Sequence, residues 1–505
     1  MKKLNIKNIK IALVVAILIG SASSCNVTDL TPADLIPDDE AFTTAARIES
    51  TVLGVYESAQ RGYYSGTPQR GYPFGAANVE QGDLRGEDMY NDQLFYEVTY
   101  VGSYNPNSAN NNGMWISLYR MINRLNLILA NLDEAVSNGI LTTDEGNNYK
   151  GELLFLRALA HHELLIHFAR PFADDPGAMG IPYRTIGVDD VSKVPEAEAV
   201  RRGTVGEDYD QLLADLDQAE GLIGEGSVSR ANKGAVIALK SRIKLHKGDW
   251  AGVIQEYDKI KGMYELPASP LAAFRDGGSS DENIFSFLNT ELSNPGTNAA
   301  LPTMYGNPDL GARGLVKISP VIWKADFWNS QDLRRTQMTT QNDVGVYTYK
   351  YTDPVTFSDP NVILRFAEVV LNTAEAYART GKAAEAVELL NSVRGRSLPA
   401  SVPDYTVAGL GNGVLQAIFN ERRIEFLAEG RRWPDIHRLS GEGLMDGVPS
   451  KATSRAITSI DFYTGAKAVP MDHSIAYEDD RFIWPIPQDE LQTNNSAPIE
   501  QNPGY

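Results

Sequence analysis

The sequence predicts a mostly α-helical fold in which a scaffold of helical hairpins carries long irregular insertions. Three observations predict it. Apolar residues recur at three- and four-residue spacing over several segments, as they do along one face of an α-helix. Two of these segments contain a pair of helices joined by a similar turn. Between the periodic segments lie long stretches rich in Gly, Pro, Asn and aromatic residues that show no helical period.

The first 24 residues have the features of a secretory signal peptide. Four lysines form a positive start, Ile11 to Ile19 is an unbroken apolar run, and small residues follow. The run is shorter than the roughly 20 residues that a helix needs to cross a bilayer. We therefore expect residues 1–24 to be removed during export.

Cys25 follows the small residues directly and is the only cysteine of the chain. An exported protein with one thiol cannot form an internal disulfide. The position resembles the acylated cysteine of a lipoprotein signal, although Ala22 stands where a larger apolar residue is usual. The alternative is an ordinary signal peptide with a cysteine nearby by chance. We expect lipidation at Cys25, a polar tether over 25–39, and the folded body from residue 40 onward.

The chain is strongly acidic, with a formal net charge of −19 at pH 7. Loss of the signal peptide would remove four lysines and no acidic residue, which makes the charge more negative still. Nucleic acid and anionic membrane surfaces would repel such a chain, so neither is expected as a partner. The charge favours solubility and an uncharged ligand.

The periodic segments predict the scaffold helices, and the aperiodic stretches predict insertions. Residues 262–360 and 61–113 are too long for simple connections, and stretches of this length in a compact body are usually functional or disordered. Their many aromatic residues argue against disorder. We expect one body over 40–505, with its scaffold in 40–261 and 361–505. The predicted helices cover 41–60, 115–136, 144–169, 204–223, 231–246, 249–261, 361–379, 382–395 and 411–438.

Two helix pairs resemble the tetratricopeptide pattern, in which small residues let the helices of a hairpin approach closely. Ser241 stands seven positions before the turn residue Gly248, and Ala374 stands seven before Gly381. The two turns are much farther apart than the roughly 34 residues of a tandem repeat. The hairpins are therefore interrupted by an insertion rather than stacked in sequence.

Residues 361–505 contain several motifs in a fixed order. The motifs are 364–376, similar to LRxAEVxLxxAEA; 390–394, similar to LNxVR; 421–436, similar to ERRxEFxxEGxRWxDL; the Trp-Pro-Ile-Pro segment 484–487; and the tail 501–505. Together they resemble the SusD/RagB family, the surface lipoproteins of glycan-uptake systems. Weaker matches around Trp115, Tyr119 and Asn126 extend the resemblance over almost the whole mature chain.

The charged block 421–429 is predicted to be scaffold and not a ligand site. Its acidic and basic residues stand three and four apart, where side chains on one helix meet. Alternatively, Arg422 and Arg423 make forked bonds to buried carboxylates or carbonyls of neighbouring helices.

A hydroxyl-rich oligosaccharide needs exposed aromatic rings beside polar side chains, on loops that a rigid frame holds. Two stretches have this composition, 85–104 and 305–328. The resemblance implies that the glycan platform draws on loops in these regions, but no family motif transfers to single residues. The candidate ligand-binding residues are Asp88, Tyr90, Asn91, Phe95, Tyr305 and Trp323.

No catalytic, cofactor or metal motif is found in the sequence. His162 and His167 flank a glutamate as in a zinc protease, but they stand five apart, and the motif needs histidines four apart on one helix face. No Walker loop, dinucleotide fingerprint or GxSxG elbow is present. We expect no metal, no cofactor and no enzymatic activity.

Three functions are compatible with these features. The resemblance implies a lipid-anchored protein on the extracellular face of the outer membrane, which captures a glycan and delivers it to a TonB-dependent, SusC-like barrel transporter. A secreted glycan-degrading enzyme is the second hypothesis, which lacks a catalytic signature. A protein whose tetratricopeptide-like hairpins hold only a protein partner is the third. We favour the first.

Overall fold

The computed structural model describes residues 40–64, 67–68, 70–494 and 498–505. The predicted signal peptide 1–24, the lipidation residue Cys25 and the tether 25–39 lie outside the described residues. Two units are distinguished: residues 1–51, of which 40–51 are described, and residues 52–505. The prediction of one body that begins at residue 40 stays a prediction.

The predicted fold class is confirmed, because long α-helices dominate the described residues and short strands occur between them. The α-helices are α1 (Ala45–Arg61), α2 (Ala76–Leu84), α3 (Glu97–Val101), α4 (Ala109–Ser137), α5 (Thr143–Phe168), α6 (Val194–Glu198), α7 (Val205–Leu222), α8 (Lys233–Lys247), α9 (Trp250–Ile260), α10 (Leu301–Tyr305), α11 (Pro320–Trp323), α12 (Leu333–Thr336), α13 (Phe366–Arg379), α14 (Ala383–Gly395), α15 (Val407–Leu410), α16 (Val414–Glu425), α17 (Arg432–Gly441), α18 (Asp461–Thr464) and α19 (Gln488–Thr493).

The strands form two-stranded antiparallel ladders. The strands are β1 (Tyr63–Tyr64), β2 (Thr67–Pro68), β3 (Met89–Asn91), β4 (Met179–Pro182), β5 (Arg202–Thr204), β6 (Asn283–Phe287), β7 (Val316–Ile318), β8 (Thr339–Asn342), β9 (Gly345–Thr348), β10 (Asn361–Arg365), β11 (Gly447–Val448), β12 (Lys451–Ala452), β13 (Met471–Asp472) and β14 (Ile475–Ala476). The pairs are β1 with β2, β3 with β7, β4 with β5, β6 with β10, β8 with β9, β11 with β14 and β12 with β13.

Local sequence signals set where the scaffold helices begin and end. Thr142 and Thr204 each cap a helix through a capping box with the glutamate three residues later. The turns of the two hairpins contain Gly248 (φ 72°) and Gly381 (φ 79°), in the left-handed region that glycine adopts at little cost.

The two tetratricopeptide-like hairpins, α8–α9 and α13–α14, pack against each other although an insertion separates them in the sequence. Helix α9 contacts α13, and α8 also contacts α13. The small residues that the pattern places before each turn, Ser241 and Ala374, are both fully buried. The interrupted hairpins are therefore neighbours in space.

Several helix predictions were wrong at their ends. Helix α4 begins at Ala109 and not at 115, and α1 begins at Ala45 and not at 41. Residues 361–365 form strand β10, which pairs with β6, and the helix begins only at Phe366. The segment 411–438 is not one helix, because α16 ends at Glu425 and α17 begins at Arg432. Between them Ala428 (φ 64°) and Gly430 (φ 71°) adopt left-handed conformations that no α-helix can contain.

The predicted insertion 262–360 contributes to a hydrophobic core of its own. Buried side chains from this insertion pack with buried side chains of residues 76–100 and of residues 424–463. We call this cluster of buried side chains the second core, to distinguish it from the packing between the scaffold helices. It holds the irregular segments in place beside the helical scaffold. No helix among the described residues is both long enough and apolar enough to span a membrane.

Candidate functional site

The structure brings the two predicted ligand-binding stretches together. Strand β3 pairs with β7, so that Tyr90 lies opposite Lys317 and Asn91 lies opposite Val316. The backbone N–H of Ser319 extends this contact by donating to the carbonyl of Asp88 at 2.9 Å. Sequence periodicity could not show this pairing, because each strand is only three residues long and its partner is far away in the chain.

Tyr90 and Asn91 are enclosed within this ladder. The Tyr90 hydroxyl accepts a hydrogen bond from the backbone N–H of Ile457 at 2.9 Å. The amide of Asn91 donates to the carbonyl of Gln93 at 2.6 Å. Both side chains are at most 1% exposed, and burial raises the pKa of Tyr90. The polar groups of both side chains thus form hydrogen bonds within the protein and do not face solvent.

Asp88 and Tyr305 are enclosed as well. Asp88 accepts a bond from Arg423 Nε at 2.9 Å. The Tyr305 hydroxyl donates to Asp83 at 2.8 Å. Burial raises the pKa of Asp83 to about 8, although Tyr305 and the Gly430 backbone N–H oppose the shift. Both predicted residues therefore have partners inside the protein.

Phe95 and Trp323 are the two candidate residues whose rings are partly exposed. Phe95 packs edge-on against Tyr96, with ring centroids 4.9 Å apart. Trp323 lies edge-on to Trp328 at 5.6 Å and to Tyr463 at 6.4 Å. Both rings pack against the second core. Each therefore has a fixed orientation and presents part of its surface to solvent.

Contact with a ligand stays a prediction for each of the six residues. A buried side chain can touch a ligand only after the fold around it moves. Among the six, Phe95 and Trp323 present part of their rings to solvent, and the other four are enclosed by partners within the protein. We call the solvent-facing parts of the paired stretches 85–104 and 305–328, which carry Phe95 and Trp323, the aromatic surface.

The charged block 421–429 is part of a buried ion-pair network, as the prediction of a scaffold role requires. Arg365 pairs with Glu425 at 2.6 Å and with Glu282 at 2.7 Å. Arg334 pairs with Glu421 and with the other oxygen of Glu425. Burial opposes ionisation of Glu425, yet these arginines hold its pKa well below the usual range. The network fixes α16 against the insertion and the strand β10.

The partners of Arg422 and Arg423 lie outside their own helix, which favours the alternative of forked bonds over pairs within one helix. Arg422 Nε donates to Asp435 in α17 at 2.9 Å. Arg423 binds Asp88 at the start of β3. The charge pattern is visible in the sequence, but only the fold shows which carboxylates meet it.

The residues His162 to His167, which resemble a zinc-protease motif in the sequence, are buried residues of helix α5. His162 packs edge-on against His246, with ring centroids 4.9 Å apart, and Glu163 accepts a bond from Asn78 at 3.3 Å. Burial lowers the pKa of His161 to about 3 and that of His162 well below its ordinary value. Among the described residues, no group of three or more His, Cys, Asp or Glu side chains is arranged to hold a metal ion.

A cleft of about 410 Å³ lies elsewhere, between α4, the segment 184–198 and α19. No sequence pattern indicates it, because its walls come from three distant parts of the chain. Trp115 donates from Nε1 to Glu490 at 3.1 Å, and Arg184 pairs with the same carboxylate at 2.7 Å. Trp115 and Tyr119, two residues of the weaker sequence motif noted above, therefore line the wall of this cleft.

Comparison with known proteins gives two family matches and full-length relatives. A model described as the SusD family matches residues 316–505, and a model described as starch-binding associating with outer membrane matches residues 34–245. SusD-like protein P38 of Formosa agariphila is 24% identical, with 99% of each chain covered. SusD-like protein P2 of the same organism is 23% identical over 99% of this chain and 100% of its own.

Solved structures agree with the fold. A SusD superfamily protein from Bacteroides fragilis is 26% identical, covers 90% of this chain and 99% of its own, and has a TM-score of 0.77. One from Bacteroides thetaiotaomicron, 22% identical, covers 91% and 100% with a TM-score of 0.74. The surface glycan-binding protein A from Bacteroides uniformis, 19% identical, covers 91% and 99% with a TM-score of 0.67.

Proposed function

Because this chain belongs to the SusD/RagB family, we propose that it is a cell-surface protein that binds an oligosaccharide and delivers it to a TonB-dependent, SusC-like barrel in the outer membrane. The observation that carries the glycan-binding part is the pairing of β3 with β7, which places the loops of Phe95 and Trp323 on one framework. The matching family description, starch-binding in association with the outer membrane, supports both the ligand class and the location.

Capture and release would need no covalent chemistry. The apolar face of a sugar ring packs on an aromatic ring, while its hydroxyls bond to polar groups at the edge of the ring. Phe95 and Trp323 are held from behind by buried aromatic neighbours, so little side-chain freedom is lost when a ligand binds. The protein would act as a binding module and not as an enzyme.

The ligand-binding proposal is tested by titrating neutral and acidic oligosaccharides into the purified protein and into two variants, Phe95→Ala and Trp323→Ala. Loss of an aromatic ring that packs on the ligand should weaken affinity by roughly tenfold or more. Leu292→Ala is a control, because Leu292 is 96% exposed and lies outside the two stretches. Unchanged affinity in both ring variants would reject the aromatic surface as the site.

The same titrations address catalysis. Released fragments after long incubation with a glycan would favour the degradative enzyme over the binding module. The partner is tested separately, by purification of the tagged protein from outer membranes. Co-purification of a TonB-dependent barrel is expected, and its absence under mild detergent would contradict delivery to such a transporter.

Anchoring on the extracellular face through Cys25 completes the proposal. A thiol placed directly after a signal peptide can be acylated, and more than one acyl chain gives a stable anchor. Labelling with a fatty-acid analogue should mark the parent protein and not the Cys25→Ala variant, which should leave the membrane fraction. Cleavage of the anchored protein by a protease added to intact cells then shows whether it lies on the extracellular face. Equal labelling of both proteins would contradict the assignment.

A further inference from the structure

Each partly exposed ring of the aromatic surface has an arginine stacked on it. The guanidinium carbon of Arg70 lies 4.7 Å from the centre of the Phe95 ring, and that of Arg335 lies 4.0 Å from the centre of the Trp323 ring. A guanidinium over an aromatic face is attracted by the ring and is held flat against it. The same combination of ring and cation therefore occurs on both predicted ligand-binding stretches.

Neither arginine has a carboxylate partner within ion-pair distance among residues 40–64, 67–68, 70–494 and 498–505. Arg335 donates to the backbone carbonyl of Trp328 at 3.2 Å. The neighbouring carboxylate of Asp332 is instead bound by Arg334, which donates to both of its oxygens at 3.0 and 2.7 Å. Partial burial without such a partner lowers the pKa of Arg335, although Asp332 opposes this.

The carboxylates that stand next to the Phe95 ring in sequence are already neutralised. Asp92 pairs with Lys317 at 2.9 Å, and Glu97 pairs with Arg455 at 2.8 Å. The strongly negative net charge therefore does not describe the surroundings of Phe95, where the acidic groups have cations and the stacked Arg70 has no acidic partner.

A second cationic residue, Lys324, follows Trp323 directly in the sequence. Lys324 is exposed, and in the described part of the chain it forms no ion pair. Asp326 is exposed on the same loop and carries the opposite charge. Lys324 and Arg335 outnumber Asp326, so these three side chains together carry a net positive charge. A ligand that stacks on Trp323 would lie beside Arg335.

We propose that the aromatic surface binds an anionic glycan, whose carboxylate or sulfate groups bind Arg70 and Arg335 while its sugar rings pack on Phe95 and Trp323. This inference rests on the proposed glycan-binding function and specifies the class of ligand. A stacked guanidinium keeps its in-plane N–H groups free to donate two parallel bonds to a carboxylate or sulfate. It replaces the expectation of an uncharged ligand, which considered only the net charge of the whole chain.

The test uses pairs of glycans that share a backbone and differ in charge. The full exported protein is titrated with oligogalacturonate and its methyl-esterified form, and with a sulfated galactan oligosaccharide and its desulfated form. At least one charged member should bind roughly tenfold more tightly than its neutral counterpart, as one charge-assisted contact would give. The pair that shows the difference identifies carboxylate or sulfate as the preferred group.

Substitutions locate the effect. Arg335→Gln and Arg70→Gln should each reduce the preference for the charged member, measured as the ratio of the affinities for the charged and the neutral glycan. Arg335→Lys keeps the charge without the planar fork and should lose part of the preference. Arg47→Gln is the matched control, because that arginine is paired with Glu40 at 2.7 Å and lies outside the two stretches, and it should keep the preference. Thermal midpoints of all four variants show whether each is folded.

The two proposals fail in different ways. Binding of neutral glycans with equal or greater affinity, lost in Trp323→Ala, would overturn the anionic ligand and leave glycan binding standing. Retention of the charge preference in both arginine variants would also overturn the assignment of Arg70 and Arg335. Failure of the parent protein to bind any member of a broad panel would overturn glycan binding itself, and the inference with it.

Discussion

Arg423 in α16 binds Asp88 at the start of β3, 335 residues earlier in the chain, with Nε 2.9 Å from Oδ2. The neighbouring pair, Arg432 and Glu87, is held in the same way with Nε 3.0 Å from Oε2. Burial opposes ionisation of Glu87, yet Arg432 and Arg423 hold its pKa at about 2. The charged block near the C-terminus therefore positions the strand that leads into the Phe95 loop.

We predict that Asp88→Ala destabilises the protein by about 2 kcal/mol, because the largely buried Arg423 loses the carboxylate to which it donates two hydrogen bonds and keeps only Glu87, at 3.0 Å. The free energy of unfolding in urea measures this. Asp258→Ala is the control, since it removes a pair in which both side chains are more than half exposed. The control should leave the unfolding midpoint unchanged. Equal effects of the two substitutions would contradict a structural role for the Asp88 pair.

A second prediction concerns Gly82, where α2 passes close to the corner between α16 and α17. A Cβ atom at this position would overlap the backbone carbonyl of Gly430. Gly430 is itself held in a left-handed conformation and donates to Asp83 at 3.0 Å, so it cannot move away freely. We expect Gly82→Ala to cost about 3 kcal/mol, the upper range for overpacking a core.

Gly54→Ala is the matched control for that experiment. Gly54 also lies inside a helix, but no atom lies within 4 Å of the position that its Cβ would take. Alanine there should stabilise the protein by up to about 1 kcal/mol through helix propensity alone. Thermal unfolding of the Gly82→Ala and Gly54→Ala variants measures the two effects, which should have opposite signs. Similar shifts of the midpoint would show that close packing at Gly82 is unimportant.

Much of the scaffold could be predicted from the sequence because one signal, apolar spacing, is local. The capping threonines and the hairpin glycines are local signals too. The errors occurred where a distant contact decides the structure. Residues 361–365 look like a continuation of the apolar helix after them, but Val362 and Leu364 pair with β6. The corner at Ala428 packs beside α2, and the nearby Gly430 is its one local signal, which the apolar spacing across the segment outweighed.

The site could be predicted only as a region. Composition identified the stretches that contain Phe95 and Trp323, and the fold pairs these stretches through β3 and β7. Composition alone could not distinguish an aromatic ring that faces a ligand from one that is buried in the core. Tyr90 and Tyr305 have the same residue type and loop setting as an exposed tyrosine, yet distant partners, Ile457 and Asp83, enclose them. The charge of the surface was likewise hidden by the net charge.

A third prediction is that acid weakens the fold through its buried histidines. Burial lowers the pKa of His161 and of His437 to about 3, and lowers that of His162 well below its ordinary value. In the unfolded chain these groups titrate near 6.5. Below that pH the unfolded state binds protons that the folded state does not, so stability falls as pH decreases from about 6.5.

His162→Leu should reduce that acid sensitivity. Between pH 7.5 and pH 5 one such histidine accounts for a loss of about 2 kcal/mol. Leucine suits the position, since neither ring nitrogen of His162 has a hydrogen-bond partner among the described residues. Urea unfolding of parent and variant at both pH values measures the difference. His473→Gln, at a histidine that is only partly buried, should change the loss of stability between the two pH values less. An unaltered pH dependence in His162→Leu would disprove the explanation.

The last prediction concerns Asp83, whose buried carboxyl has a pKa of about 8 because burial outweighs the bonds from Tyr305 and Gly430. An unfolded aspartate titrates near 3.9. Between these values the folded state keeps a proton that the unfolded state releases, so this group reduces stability as pH rises from about 4 to 8. Asp83→Asn removes the titration and still accepts from Gly430 through Oδ1 while its amide donates to the Tyr305 hydroxyl. It should stabilise the protein by as much as about 4 kcal/mol at pH 7 and by little at pH 4. Urea unfolding at the two pH values tests this, and destabilisation of equal size at both would show that Asp83 is ionised in the folded protein.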